Sequence, residues 1–183
     1  LHSDESAAVG IIKMGERIIL LLDFEKIVMD INPGMGFKMD QMNIDPTSDH
    51  SSQRIIIAED SPTLRHFIEG VLNSVGFTNL RFFENGALAW NFLEDLVSKR
   101  GNGFTEEVQL LITDIEMPQM DGHHLTRRVK EHPILQQLPV VIFSSLINED
   151  LFHKGEAVGA DAQISKPDFP ALAHSLETLA LKV

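Results

Sequence analysis

The sequence predicts an α/β protein: a doubly wound, five-stranded parallel sheet in the order 2-1-3-4-5, preceded by a β-hairpin. Three observations lead there. From Gln53 onward, short apolar runs recur between turn signals, which is how strands buried on both faces of a parallel sheet read. Segments of helical length separate those runs, and βαβ units of this kind close with right-handed crossovers. The runs stop at polar residues, and open parallel sheets bind ligands just beyond the carboxyl ends of their strands.

The elements follow in chain order. Residues 1–7 are polar and carry no structural signal. Val9–Met14 reads as a strand, Gly15-Glu16 as a turn and Arg17–Leu22 as the return strand. Asp23 can cap a short helix through Met29, ended by Asn32-Pro33-Gly34. A hairpin with one short helix is too small to fold alone. Residues 36–52 mix Asp, Asn, Ser, Thr, Pro and His with scattered Met, and read either as a linker or as a helical extension through Met42. The expected organisation is therefore residues 1–35, a linker at 36–52 and a main domain at 53–183.

Within the main domain the expected strands are Ile55–Glu59, Asn79–Phe83, Val108–Asp114, Pro139–Ser144 and Ala162–Lys166. The expected helices are Pro62–Val75, Gly86–Ser98, Gly122–Glu131, Glu149–Val158 and Phe169–Lys182. Pro62 suits the first turn of a helix, where its missing N–H costs nothing. Ala89, Leu93 and Leu96 share one face, as a helix lying on a sheet requires.

Composition narrows the function. The net charge is −12 and the pI about 5.0, which argues against a nucleic-acid partner, since binding its phosphates needs a basic surface. There is no cysteine, so disulfides, thiol chemistry and cysteine metal sites are absent; this fits a reducing compartment. No apolar run approaches the length of a membrane span, so no membrane insertion is expected. A first residue that is Leu, with no charged-then-apolar leader, leads us to expect no signal peptide and a chain taken from a longer protein.

The candidate site is the set of strand ends. Arg54–Ala58 runs into Glu59-Asp60, Val108–Ile112 into Thr113-Asp114, Pro139–Phe143 into Ser144, and Ala162–Ser165 into Lys166. Asp114 alone could be a strand terminator or a cap. An acid pair, an acid, a hydroxyl and a lysine at successive strand ends form one chemistry. Three carboxylates in a crevice repel unless a cation joins them, and open, hard oxygen ligands suit Mg²⁺. Beside that metal Asp114 can act as a carboxylate nucleophile toward a phosphoryl group, with Lys166 and the Ser144 hydroxyl on the phosphoryl oxygens. His123 and His124 lie about 100° apart on their helix and cannot chelate as a pair. No GxxxxGK[ST] loop occurs, which disfavours nucleotide binding.

Two resemblances bear on these residues. Gly10-Ile11-Ile12-Lys13-Met14-Gly15-Glu16-Arg17, with Leu20-Leu21-Leu22-Asp23-Phe24-Glu25-Lys26-Ile27, resembles the carboxyl-terminal tail of a CheW-like coupling domain, over about a quarter of that domain, although any β-hairpin shares its spacing. Residues 53–183 resemble a response-regulator receiver domain, of flavodoxin/CheY-like fold, through Glu59-Asp60, Asp114 with Met117-Pro118 and Asp121-Gly122, Ser144 and Lys166-Pro167. By that resemblance Asp114 is the phosphoacceptor, and Asp60, Asp114 and the Glu116 backbone carbonyl hold Mg²⁺ with Glu59 assisting. Ser144 and Lys166 would hold the phosphoryl group. Two positions depart from the receiver pattern: Gln163 stands where an aromatic switch residue is usual, and Ser144-Ser145 where Thr-Ala is common.

A coupling-domain tail joined to a receiver resembles the CheV-type chemotaxis adaptors. That implies a cytoplasmic signalling protein, not an enzyme in its own right, working with a CheA-type histidine kinase and chemoreceptors. The alternative is an Mg²⁺-dependent phosphohydrolase with an Asp nucleophile, in which Glu116 would stand where such enzymes place a second acid. A DNA-binding regulator is not expected, because the chain ends after the last receiver helix and is acidic.

Overall fold

A computed structural model describes residues 8–15, 17–22, 50–145, 147 and 149–180. The chain divides into two compact units, Leu1–Met42 and Asn43–Val183. In the first, β1 (Ala8–Met14) pairs antiparallel with β2 (Arg17–Leu22), the register running from Met14 opposite Arg17 to Ala8 opposite Leu22. The expected hairpin is therefore present. The expected helix Asp23–Met29 lies outside the described residues, as does the linker apart from residues 50–52.

The second unit holds β3 (Arg54–Ala58), β4 (Asn79–Phe83), β5 (Leu110–Thr113), β6 (Val140–Ser144) and β7 (Ala162–Ser165). All pairings are parallel, in the order β4-β3-β5-β6-β7, which is the 2-1-3-4-5 order expected. Every residue of β5 and β6 is buried, as is all of β3 after Arg54, so the three central strands read as unbroken apolar runs. The edge strands β4 and β7 bury less and carry Asn79, Arg81 and Gln163.

Five helices connect and cover the strands: α1 (Pro62–Ser74), α2 (Gly86–Arg100), α3 (Gly122–Glu131), α4 (Glu149–Ala157) and α5 (Phe169–Ala180). Their starts are set locally. Ser61, Asn85 and Asp121 each accept a backbone N–H of the first turn, from Leu64, Leu88 and His124. The face expected of α2 is the one it buries, Ala89, Leu93 and Leu96, joined by Trp90.

Two 3₁₀ turns were not expected. One, Gly101–Glu106, buries Phe104, whose carbonyl takes the Val108 N–H; β5 consequently starts at Leu110 and not at Val108. The other, Leu135–Gln137, buries Leu135 and is capped by His132 Nδ1, which accepts from the N–H groups of Ile134 and Leu135. Among the described residues no helix is long and apolar enough to cross a membrane.

Candidate functional site

The ladder that builds the sheet also delivers the site. One residue past β3, the Glu59 N–H still bonds Phe83 O at 2.9 Å, so Glu59 keeps strand geometry. One residue past β5, the Asp114 N–H bonds Ala58 O at 2.9 Å, which sets Asp114 beside the end of β3. One residue past β7, the Lys166 N–H bonds Ser144 O at 3.0 Å and brings Lys166 to the end of β6. Parallel strands ending at a common level thus bring together side chains that lie far apart along the chain.

Three carboxylates meet there. Glu59, Asp60 and Asp114 each offer an oxygen within 4.8 Å of the others. Glu59 is 1% exposed and Asp114 8%, while Asp60 is open to solvent. Both acids of the pair reach the crevice because the chain turns directly after β3: Ser61 caps α1 with Pro62 in its first turn, and the Ser61 N–H returns to Glu59 Oε1 at 3.2 Å.

Lys166 supplies the positive charge. Its Nζ donates to Glu59 Oε2 at 2.6 Å and lies 3.2 Å from Asp114 Oδ2, with all three side chains largely buried. The Phe143 ring packs 5.8 Å from the ammonium. Burial pushes the Glu59 carboxyl above its ordinary value. Lys166 pulls it back by charge and by hydrogen bond, and Asp114 pushes it up again. One ammonium therefore faces three carboxylates, and the local charge is in excess by two if all are ionised. That surplus of hard oxygen ligands, one of them facing water, fits a divalent cation of the Mg²⁺ kind.

The loop after Asp114 is shaped by close approach. Asp114 Oδ1 accepts its neighbour Ile115's N–H at 2.7 Å, and Thr113 Oγ1 donates to Asp114 O at 2.9 Å. The Gly122 N–H returns to Ile115 O at 3.0 Å, drawing the start of α3 against the loop. A Cβ on Gly122 would lie 1.9 Å from the Asp114 carbonyl oxygen, so no larger residue fits without moving the backbone of Asp114 itself. Glu116, on the same loop, is exposed. Ser144, the last residue of β6, is 1% exposed.

The family profile described as "Response regulator receiver domain" matches residues 55–177. The chain belongs to the response regulator receiver family. A receiver domain from a signal transduction histidine kinase of Syntrophus aciditrophicus superposes with a TM-score of 0.61 at 30% identity, over 72% of this chain and 92% of that one. A chemotaxis protein CheY homolog of Campylobacter jejuni is 29% identical over 68% of this chain and 89% of its own length. Chemotaxis protein CheV1 of Helicobacter pylori is 27% identical over 82% of this chain and 45% of its own length. The chain thus spans about half the length of the CheV relatives it matches.

Of the six residues expected to form the receiver's site, Glu59, Asp60, Asp114 and Lys166 cluster directly, and Ser144 joins them through the β6–β7 ladder. Glu59, expected only to assist a metal, is also the tightest partner of Lys166. Nothing in the local sequence signals that pairing, because 107 residues separate the two.

Proposed function

We propose that this receiver accepts a phosphoryl group on Asp114 from a histidine kinase, within a cytoplasmic chemotaxis adaptor. The observation that carries the reading is the setting of Asp114: a nearly buried carboxylate at a strand end, in one acidic cluster with Glu59 and Asp60, with the Lys166 ammonium at 3.2 Å. An Asp114 Oδ attacks phosphorus, the phosphorus–nitrogen bond of the donor phosphohistidine breaks, and the imidazole leaves with its electron pair. The product is an acyl phosphate. Lys166 holds its charge against the transferred oxygens, and the Ser144 hydroxyl donates to one of them.

Asp60, Asp114 and the Glu116 carbonyl, assisted by Glu59, would hold Mg²⁺. When bound, the metal neutralises charge on the phosphoryl oxygens. Residues 1–35 belong in this reading to a CheW-like coupling domain, 36–52 to a linker and 53–183 to the receiver. A CheA-type kinase and chemoreceptors are the partners. The CheV and CheY relatives support the chemotaxis setting.

The test is phosphorylation by a small donor such as acetyl phosphate in Mg²⁺. Wild-type chain takes up one acid-labile phosphate, and Asp114→Asn takes up none while keeping its circular dichroism spectrum. Labelling that survives in Asp114→Asn removes Asp114 from the role. The phosphohydrolase alternative is less favoured, since the chain is a member of a signalling family. Sustained turnover of p-nitrophenyl phosphate would restore it.

A further inference from the structure

The acid pair at the end of β3 carries a geometric demand. Adjacent residues of a strand point to opposite faces, so Glu59 and Asp60 share one crevice only when the peptide plane between them leaves strand geometry. Glu59 is fixed at several points. Its N–H bonds Phe83 O at 2.9 Å, its Oε1 accepts from the Ser61 N–H at 3.2 Å, and its Oε2 accepts from Lys166 Nζ at 2.6 Å. Asp60 is held differently. Its carboxylate is open to solvent, and among the described residues no hydrogen bond or ion pair restrains it, yet it lies within 4.8 Å of the other two acids.

The peptide between the two acids is held by Arg65. Its Nη1 donates to the Glu59 carbonyl at 3.0 Å, from six residues further along the chain. That oxygen belongs to the planar Glu59–Asp60 peptide, so anchoring it sets the direction in which the Asp60 backbone departs. Arg65 stands at the end of the first turn of α1, its own N–H bonded to Ser61 O at 3.0 Å. The turn after β3 thus returns the guanidinium to the strand end, although the positive end of a helix dipole disfavours a cation there.

The other contacts of Arg65 do not account for its placement. Its Nη2 lies 3.9 Å from Glu84 Oε1, a side chain 74% exposed, and an ion pair of that kind contributes little. Among the described residues Arg65 pairs with none of the three clustered acids. Its donor is spent on a carbonyl and not on a carboxylate.

We propose that Arg65 is a positioning residue for the cation site: by holding the Glu59 carbonyl it fixes the peptide between the two acids and aims Asp60 at the ion. The role rests on the proposal that Glu59, Asp60 and Asp114 hold Mg²⁺. Charge alone would have the opposite consequence. A cation beside an acidic cluster repels a second cation, so removing it would tighten Mg²⁺ binding. Removing a positioning residue loosens binding, because Asp60 must then be ordered by the ion itself.

The experiment is an NMR titration of the isotope-labelled full chain with magnesium chloride, followed by backbone amide shifts, with sodium chloride at matched ionic strength as the control. Wild type should show a saturable shift specific to Mg²⁺. Arg65→Met keeps the apolar stem and removes charge and donor. Its Mg²⁺ dissociation constant should rise about fivefold or more, the scale of one hydrogen bond. Arg65→Gln, neutral and too short for the contact, repeats the comparison with a polar stem. Arg65→Lys keeps the charge and a donor and should recover most of the loss. Glu84→Gln leaves the carbonyl contact in place and should stay within about twofold of wild type. In acetyl phosphate labelling, the Mg²⁺ concentration for half-maximal rate should rise in Arg65→Met while the rate at saturating Mg²⁺ stays near wild type. Neutral Arg65 variants that bind Mg²⁺ as tightly as wild type, or more tightly, overturn the positioning role and leave the phosphoacceptor reading to stand on Asp114. Equal loosening in Glu84→Gln also overturns it. A wild type without a saturable shift removes the Mg²⁺ reading itself, and the role with it.

Discussion

Helices α2 and α4 both pack against the sheet, yet they are held by different means. Helix α2 buries Gly86, Ala89, Trp90, Leu93 and Leu96, and its partly buried Phe92 packs tilted against Phe83, ring centroids 5.2 Å apart. Helix α4 buries one residue along its length, Gly155. Its Phe152 is 40% exposed. Apolar burial stabilises by roughly 25 cal/mol per Å², so α2 is anchored broadly and α4 is not.

A polar latch substitutes for the missing apolar face. The Gln163 side chain of β7 donates from Nε2 to the Phe152 carbonyl at 2.8 Å, and its amide lies against Gly155. A Cβ on Gly155 would meet Gln163 Oε1 at 2.0 Å, so the glycine makes the notch that the amide occupies. Gln163 Oε1 is itself buried without a hydrogen-bond partner. The contrast teaches where the domain can move at low cost. The helix just downstream of Ser144 is the one held by fewest buried groups, and regions with little apolar burial open most readily.

The largest expected effect lies on the α2 side. Leu93→Ala removes a fully buried side chain and should cost about 2–5 kcal/mol in urea unfolding. A cost below about 1 kcal/mol would mean that α2 is not the anchored member of the pair.

On the α4 side the latch is tested by its own fit. Gly155→Ala pushes a methyl into the Gln163 amide, the end of a flexible side chain, which must turn away and give up its bond to the Phe152 carbonyl. That loss of about 0.5–1.5 kcal/mol is set against a helix-propensity gain of about 1 kcal/mol. Combined with Gln163→Ala, much of that cost should vanish, leaving a coupling of at least about 0.5 kcal/mol in a double-mutant cycle. Additive losses would show that amide and glycine do not interact.

The pH dependence sharpens the comparison, since burial and then the charge of Lys154 on α4 depress His123, against a hydrogen bond with the Leu151 backbone and the charge of Asp121. The neutral ring is favoured in the folded chain, and the unfolded chain takes the proton first, near about pH 6.5. The contribution is therefore complete above that pH and is lost as pH falls through about 6.5 toward the depressed folded value. Wild type should lose more stability over this range than His123→Phe. Parallel curves would contradict the assignment. The smallest effect belongs to Phe152→Ala on the exposed face of α4, which should change stability by less than about 0.5 kcal/mol.

What was legible in the sequence is what local pattern encodes. Ile55–Ala58, Leu110–Thr113 and Val140–Ser144 are buried on both faces, so their apolar runs announce strands wherever they end up in space. Their polar terminators, Glu59, Asp60, Asp114 and Ser144, with Lys166 after β7, stand where parallel strands finish, and a parallel sheet brings such ends to one edge. The 3₁₀ turn that shortens β5 was not legible, because the Phe104 carbonyl competes for the Val108 N–H only once Phe104 is buried.

Tertiary structure alone decided which side chains touch. Lys166 chooses Glu59 at 2.6 Å over Asp114 at 3.2 Å, Gln163 turns under α4 instead of outward, and His123 is buried while its neighbour His124 faces solvent. Each outcome depends on how far a helix is rotated and how high it sits on the sheet. That placement is the joint result of many weak packing contacts distributed along the chain, whereas the strand-end chemistry needs only the residue where an apolar run stops.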